Sequence, residues 1–169
     1  MAFGDILQDM NLHIDSVGYA GRVGELTLPK IAPKVMEYIA GGMSGPVDIP
    51  MGQMEKMEAD FTIKGANADV MTVWGVVPGN DVAFQVRGVT VDADGTQVAV
   101  RVVMRATVRE IDQGGWKPGE ETTTKVSVTV NQYEYVRDGK SLIKHDPVNR
   151  VLEIDGTDQM AQMRSALGL

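Results

Sequence analysis

The stretch QVAVRVVMRATVR, residues 97–109, alternates between two sets of side chains along its whole length. One face carries Val98, Val100, Val102, Met104, Ala106 and Val108, and the other carries Ala99, Arg101, Val103, Arg105, Thr107 and Arg109. Because successive side chains of a strand point to opposite faces, this period of two predicts a β-strand. At about 3.3 Å per residue the stretch spans roughly 43 Å, whereas an ordinary strand has about 5 or 6 residues.

A second stretch, residues 121–136, follows a Gly/Pro loop and alternates in the same way. Its two faces carry Val126, Val128 and Val130 against Thr123, Lys125, Ser127, Thr129 and Asn131. Strands of this length should extend beyond the core of a chain of 169 residues. Exposed strand edges promote aggregation unless another strand pairs with them. We therefore expect other copies of the same chain to supply the missing partners.

The composition fits one globular domain of 169 residues, with 43% hydrophobic residues. The absence of cysteine excludes disulfides, thiolate zinc sites and cysteine nucleophiles. The formal net charge of −7 disfavours tight binding to nucleic acid, since an acidic surface repels phosphate. It does not exclude DNA that passes without binding. The segment MAFGDILQDM lacks the features of a signal peptide, and no apolar run has membrane-spanning length, so we expect no membrane insertion.

The remaining pattern predicts short strands, hairpin turns and two helices. We expect an N-terminal arm over about 1–21 with at most a short strand near 11–16, and a long mobile hairpin or loop within 34–57. Further strands are predicted at 25–28, 55–63, 82–91, 131–137 paired with 140–145, and 151–154. Turns are predicted at Asp94-Gly95 and Asp138-Gly139.

A helix is predicted over 66–75, with Asn67 as its N-cap. A short C-terminal helix, with Met160, Met163 and Leu167 on one stripe, should end at Gly168. The fold class is therefore mainly β with minor α. We expect two packed antiparallel sheets, as a sandwich or small barrel, with a flanking helix, long β-hairpin extensions and a short C-terminal helix.

The chain contains no convincing catalytic or metal-binding motif. His13 and His145 each have an aspartate nearby, but no further ligand or nucleophile accompanies either pair. The segment DADG, residues 92–95, lacks the remaining ligands of a calcium loop. We therefore predict no enzyme, no cofactor and no metal. The arginines on one face of residues 101–109 are expected to pair with carboxylates of a neighbouring strand.

Methionine is concentrated in one region of the chain. Five of the eleven methionines are Met36, Met43, Met51, Met54 and Met57. Methionine adapts to irregular contact surfaces, but it also fills cores. Composition alone leaves both interpretations open.

Several segments then resemble a known family. They are MNL (10–12), LTLPK (26–30), GGMSGPV (41–47), NQYEY (131–135), DGK (138–140), HDPVN (145–149), IDGTD (154–158) and RSALGL (164–169). In this order, over essentially the whole chain, they resemble the major tail tube proteins of contractile-tailed bacteriophages and the related R-type bacteriocins. The Gly-x-Asp segment followed by the RxxLGL ending is the most distinctive part.

The resemblance implies a structural virion protein, assembled in the host cytoplasm, whose hexameric rings stack into a hollow tube inside a contractile sheath. Every subunit would contribute strands to a continuous inner barrel. Expected partners are copies of the chain, the sheath, a baseplate or tube initiator, a tape measure and a tail terminator. DNA would pass without specific binding. Residues 1–169 would form a single tail tube domain.

The resemblance also implies roles for individual residues. Inter-ring contacts are expected from Met36, Gly41, Gly42, Met43, Gly45, Pro46, Met51 and Met54. Contacts between subunits are expected from the C-terminal motif through Asp158, Arg164 and Leu167. Glu58 and Asp60, on the polar face of an alternating strand, are candidates for the lumen. Alternatively, these carboxylates cover the exterior or pair with Lys and Arg between subunits.

Two other functions remain open at this point. The same tube could belong to a DNA-free device, an R-type bacteriocin or a type VI secretion system. A monomeric β-sandwich binding module is the alternative from another class, and it predicts a protein that does not polymerise.

Overall fold

The computed structural model describes residues 4–75 and 77–169 of the chain. Its elements in chain order are β1 (Ile6–Ile14), β2 (Val17–Gly18), β3 (Val23–Thr27), β4 (Pro33–Tyr38), β5 (Val47–Met54), β6 (Met57–Lys64), α1 (Ala68–Thr72), β7 (Val82–Val91), β8 (Gln97–Asp112), β9 (Thr123–Arg137), β10 (Lys140–Asp146), β11 (Val151–Ile154), β12 (Thr157–Asp158) and α2 (Ala161–Leu167). The prediction of a mainly β fold with minor α is confirmed.

The main sheet is antiparallel and has ten strands, in the order β12-β11-β10-β9-β8-β7-β1-β2, with β3 and β6 off this path. The two long strands are confirmed, since β8 has 16 residues and β9 has 15. Because β9 is so long, two strands share one of its edges. The strand β6 pairs with residues 123–130, and β10 pairs with residues 133–137.

The main sheet curves around one hydrophobic core. The strand β3 pairs with β6 and extends the sheet beyond it. On the side of β3 that faces away from β6, its residues come close to β1. Phe61 and Phe84 pack within this curve, with ring centroids 5.2 Å apart and planes tilted by 52°. The core also holds the alternating residues of both long strands and Val70 of α1. Of the two predicted forms, a curved sheet around a single core corresponds to the small barrel.

The second sheet is the two-stranded hairpin of β4 and β5. Its register pairs Val35 with Pro50, Met36 with Ile49 and Tyr38 with Val47. The predicted hairpin within residues 34–57 is therefore confirmed. Unlike the long strands of the main sheet, β4 is exposed at every one of its six residues.

The N-terminal segment differs from the prediction. We expected at most a short strand near residues 11–16, and this was wrong. The strand β1 has 9 residues and pairs with β7 from Ile6 to Ile14. The register shifts between Leu7 and Asp9, and such a bulge interrupts the alternation that identifies a strand in sequence.

The first helix is shorter than the predicted 66–75, since α1 has only 5 residues. Asn67 is the N-cap residue, as predicted, but its side chain forms no capping hydrogen bond to the helix. Its amide group donates instead to the carbonyl oxygens of Lys64 and Gly65, and its Oδ1 accepts from the Arg22 guanidinium at 2.9 Å. Asn67 therefore joins the end of β6 to the segment before β3.

The predicted turns and helix end agree with the structure. Asp138 and Gly139 have φ angles of 49° and 74°, and two consecutive positive values are those of a type I′ hairpin turn. The C-terminal helix α2 ends at Gly168, which adopts the left-handed conformation with φ of 72°. There its backbone N–H donates to carbonyl oxygens of the last helical turn.

Candidate assembly surfaces

The hairpin of β4 and β5, residues 33–54, presents apolar side chains to solvent and is called the hairpin surface below. Its exposed apolar residues are Val35, Met36, Tyr38, Ile39, Met43, Val47, Ile49 and Met51. Neighbours such as Val35 and Met36 point to opposite faces of the ribbon, so both faces are apolar. Contiguous exposed apolar surface of this kind is typical of a protein–protein contact site.

The predicted inter-ring residues lie on or near this surface. Met36, Met43 and Met51 are among its exposed side chains. Gly41, Gly42, Gly45 and Pro46 form the loop at its tip, between β4 and β5. Met54 is the last residue of β5 and is half-buried at the root. Met57, the fifth methionine of this region, is 3% exposed and belongs to the core. The methionine-rich region therefore serves both the exposed hairpin and the core.

The root of the hairpin faces the C-terminal helix. Gly52 has a φ of 69°, and a Cβ at this position would lie 2.5 Å from Cε of Met163 in α2. A cleft of about 360 Å³ lies between this part of β5 and the C-terminal segment, with His145, Arg150 and Met160 among its lining residues. Gly52 therefore allows α2 to approach the strand closely.

The C-terminal motif is held together within one chain. Arg164 forms an ion pair with Asp158 and also donates to the backbone carbonyl of Arg150 at 2.7 Å. The hydrogen bond from Arg164, together with the Met160 N–H, holds the pKa of Asp158 below its usual value. Leu167, by contrast, is 55% exposed. Of the three residues predicted for subunit contact, two stabilise α2 and one is free to meet another surface.

The histidine near this cleft is not part of a metal cluster. Burial lowers the pKa of His145, although the neighbouring Asp146 acts in the opposite direction. Within residues 4–75 and 77–169, no group of three His, Asp or Glu residues is placed to hold a metal ion. In the same part of the chain, neither helix is long and apolar enough to cross a membrane.

The two lumen candidates lie on the face of β6 that points away from the core. Glu58 forms ion pairs with Lys56, at 2.8 Å, and with Arg109. The hydrogen bond from Lys56 is the largest cause of the lowered pKa of Glu58, and Arg109 adds to it. Asp60 accepts a hydrogen bond from the hydroxyl of Ser127 on β9. Arg109 and Lys56 therefore offset the charge of Glu58, whereas only a neutral donor contacts Asp60 among the described residues.

The arginines of β8 have different surroundings. Arg109 forms an ion pair with Glu58 of the same chain, so it needs no carboxylate from another subunit. Arg101 lies directly opposite Arg87 of β7, and such like-charge pairs are unfavourable in a sheet. Neither Arg101 nor Arg105 forms an ion pair within the described part of the chain. These two arginines can still meet carboxylates of another subunit.

Sequence reasoning missed one further surface, formed around α1 and the loop between β8 and β9. Met71, Trp74 and Trp116 are 44%, 50% and 68% exposed, and we call them the aromatic patch. Two clefts adjoin Met71: one of about 260 Å³ that reaches Trp116, and one of about 350 Å³ that reaches Trp74. The available signal was that both tryptophans of the chain flank Gly/Pro-containing loops.

The fold also occurs in solved structures of an extracellular contractile injection system. It matches the sheath/tube terminator of the PVC extracellular contractile injection system with a TM-score of 0.57, 9% identity, and coverage of 76% of this chain and 94% of that chain. The PVC sheath-tube complex matches with a TM-score of 0.54, 9% identity, and coverage of 75% and 87%. At this identity the likeness shows the fold alone.

Sequence comparison identifies the family. Residues 4–168 match the family of phage tail tube protein FII, so the chain belongs to that family. The tail tube protein of Escherichia phage P2 is 33% identical over 174 residues, covering 100% of both chains. The major tail tube protein of Serratia phage KSP20 is 28% identical over 171 residues, covering 100% of this chain and 99% of the other. The predicted resemblance is confirmed, and the chain is a structural component of phage-type virion tails.

Proposed function

We propose that this chain forms hexameric rings, which stack into the inner tail tube through which phage DNA passes during ejection. The observation that carries the proposal is the hairpin surface, because the described residues leave its apolar side chains on both faces 36–63% exposed. Burial of apolar surface contributes roughly 25 cal/mol per Å², so a subunit with such a hairpin gains stability from a neighbour. Residues 1–169 act as one tube domain, with an N-terminal arm of about 1–21 and an inter-ring hairpin of about 34–57.

Strand edges give a second reason for ring formation. The pairing of β7 with β8 ends at Val82 and Ala106, but β8 continues to Asp112. Beyond Ala106, that edge of β8 has no strand partner among the described residues. If strands of adjacent subunits pair around a ring, the resulting barrel has no free edges. This arrangement would place the exposed face of β6, β9, β8 and β7 towards the lumen.

On this face Asp60 would repel the phosphates of DNA, whereas Arg101 and Arg105 on the same face would attract them unless carboxylates of another subunit pair with these arginines. Asp60 lies on it without a cationic partner among the described residues, and its carboxylate repels phosphate. The charge of Glu58 is partly neutralised by Arg109, so Asp60 contributes more of the repulsion. A map of the assembled tube by electron cryomicroscopy would test this assignment. A neutral or basic lumen, or a lumen that lacks Asp60, would contradict it.

The same surfaces suggest partners beyond the chain itself. Within a tail, the tube would contact the sheath along its length, a baseplate or tube initiator and a tail terminator at its two ends, and a tape measure protein inside. Chemically the tube would be passive, without catalysis or cofactor. Asp158, Arg164 and Leu167 would help join subunits, with the exposed Leu167 making the direct contact.

Electron microscopy of the purified protein tests the central proposal. We expect rings or tubes with a central hole, growing longer as the concentration rises. A persistent monomer at high concentration would contradict the proposal and support a monomeric β-sandwich binding module instead.

A DNA-free device, such as an R-type bacteriocin or a type VI secretion tube, is a second candidate. Its support is the fold, which also occurs in an extracellular contractile injection system. Intact particles isolated from the source would separate the two, because phage particles contain DNA and the DNA-free device contains none.

A further inference from the structure

The hairpin surface and the aromatic patch lie towards opposite ends of the subunit. The hairpin joins the sheet at the start of β6, at Met57, and α1 follows the end of β6, at Lys64. With 8 residues, β6 separates these points by roughly 26 Å. The root of β5 adjoins the cleft with His145 and Met163, on the side away from α1. One copy therefore carries an exposed apolar projection at one end and an exposed apolar surface at the other.

The aromatic patch has the composition of a contact site. Tryptophan and methionine are enriched in protein interfaces, and tryptophan often supplies much of the binding energy. The cleft between Met71 and Trp116 has Ala66 and Ala68 in its lining and no charged side chain. The hairpin from Tyr38 to Val47 is likewise free of charged residues. An uncharged hairpin tip therefore fits an uncharged cleft.

Two carboxylates flank the hairpin tip, and a lysine flanks the patch, where acidic residues also lie close in sequence. Glu37 and Asp48 lie directly opposite each other on β4 and β5, and neither forms an ion pair within the described residues. Two carboxylates in this position repel each other unless a cation approaches. Lys117 follows Trp116 in the opposite surface, and its ion pair with Glu120 is exposed and 3.7 Å long. Lys117 can thus reach a carboxylate of another molecule.

From these observations we infer that the hairpin tip of one copy docks onto the aromatic patch of a copy in the adjacent ring, with Glu37 and Asp48 facing Lys117. This inference rests on the proposed ring stacking. A contact between two different surfaces of the same chain is a head-to-tail contact. When it does not close into a ring, it repeats from one ring of subunits to the next and extends a tube. A second copy of this chain is the partner.

The unmodified protein provides the first test, because both of its tryptophans belong to the patch. On tube formation we expect tryptophan emission to move to shorter wavelengths and acrylamide quenching to fall severalfold. Variants Trp74→Phe and Trp116→Phe assign the change to each residue. Tubes visible by electron microscopy with unchanged quenching would overturn the inference and leave the proposed tube intact. If no tubes form under any condition, the proposed function itself fails.

Cross-linking identifies the occupant of the patch. The chain has no cysteine, so a variant with Met43→Cys and Met71→Cys contains only the two intended thiols. After oxidation of tubes, we expect a ladder of covalent oligomers larger than one ring, since contacts between rings continue along the tube. A ladder that stops at the size of one ring, or no ladder, would contradict the inference. The control pair Met43→Cys and Asp94→Cys, with its second thiol in the β7–β8 turn, should give no ladder.

A charge exchange tests the same contact without cysteine. We expect Lys117→Glu to shorten tubes or prevent stacking, because it would place a third carboxylate beside Glu37 and Asp48. Adding Glu37→Lys and Asp48→Lys should restore stacking. Failure of the exchange to restore tubes, with each variant folded, would count against the contact. If the cysteine variants do not assemble, the fluorescence of the unmodified protein decides the question.

Discussion

The barrel core and the hairpin surface are both antiparallel β-structure built from similar apolar residues, yet they relate to solvent in opposite ways. Phe61 and Val128 in the core are 1% and 0% exposed, whereas Val35 and Ile49 on the hairpin are 43% and 40% exposed. The core is completed by the strands of one chain, while within the described residues β4 and β5 of the hairpin pair with each other alone. If the hairpin makes the proposed inter-ring contact, folding and assembly depend on two separate sets of apolar residues, and substitutions should affect one without the other.

The largest effect is expected from a charge in the core. Val128 lies between Ala59 of β6 and Val108 of β8, so Val128→Asp buries a carboxylate without a partner. The cost should be about 5 kcal/mol or more, comparable with the total stability of a domain. We expect Val128→Asp, and Val102→Asp by the same reasoning, to yield no cooperatively folded protein by circular dichroism and thermal unfolding. Native-like unfolding of either variant would show that these side chains do not face the core.

A valine-to-aspartate substitution on the hairpin, Val35→Asp, should leave folding intact and abolish assembly. For Val35→Asp we expect the free energy of unfolding to change by about 0.5 kcal/mol or less, because the side chain is already exposed. Tubes should be absent by electron microscopy, since the charge would have to be buried between rings. Deletion of residues 41–46 should have the same consequence. The control is Val17→Asp, an exposed valine outside the hairpin, which should still form tubes.

If Val35→Asp or the deletion still formed normal tubes, the hairpin would not be the inter-ring contact. If either variant failed to fold, the distinction between the two apolar sets would be lost.

The same contrast explains what the sequence could predict. In β8 and β9, strict alternation identifies strands and core together, because Val102 and Val128 are buried by neighbouring strands of the same sheet. Alternation fails for β1, since its bulge and its exposed first residues remove the period. Asn67 occupies the predicted N-cap position, but a distant residue, Arg22, bonds to the side-chain oxygen that would otherwise cap α1. Such tertiary hydrogen bonds leave no local signal.

The candidate surfaces were predictable to different degrees. The hairpin could be found from its glycines, prolines and methionines, since they are adjacent in sequence. The aromatic patch could not, because Trp74 and Trp116 lie on different segments and only the fold brings both beside Met71. Asp158 and Arg164 were predicted as contacts between subunits, and the structure pairs them with each other within one chain.

A smaller effect is expected where the two regions meet. Gly52 has a φ of 69°, and a side chain there would approach Met163 to 2.5 Å. For Gly52→Ala we expect the free energy of unfolding to fall by about 1–2 kcal/mol, because alanine is strained in the left-handed backbone conformation. The contact with Met163 should add little, because the end of that side chain can move aside. Tubes should form more slowly if the hairpin root also shifts. Chemical denaturation and light scattering measure the two effects.

Gly41→Ala is the matched control, since Gly41 lies in the same hairpin with a negative φ and open space around it. Its unfolding free energy should remain close to that of the unmodified protein. Equal losses for Gly52→Ala and Gly41→Ala would show that the left-handed backbone of Gly52 does not restrict this position.

The smallest effect is expected from Asp158→Asn, which separates the local and assembly roles of the C-terminal motif. The pKa of Asp158 is lowered in the folded state by Arg164, so its contribution is present above its unfolded pKa of about 3.9 and is lost as pH falls through the folded value. Asp158→Asn should therefore lower stability slightly near neutral pH and reduce its loss in acid. Thermal unfolding of the monomer between neutral pH and about pH 3 measures this change. An unchanged acid profile would mean that the ion pair with Arg164 does not contribute to folding, and its importance would then have to lie in contacts between subunits.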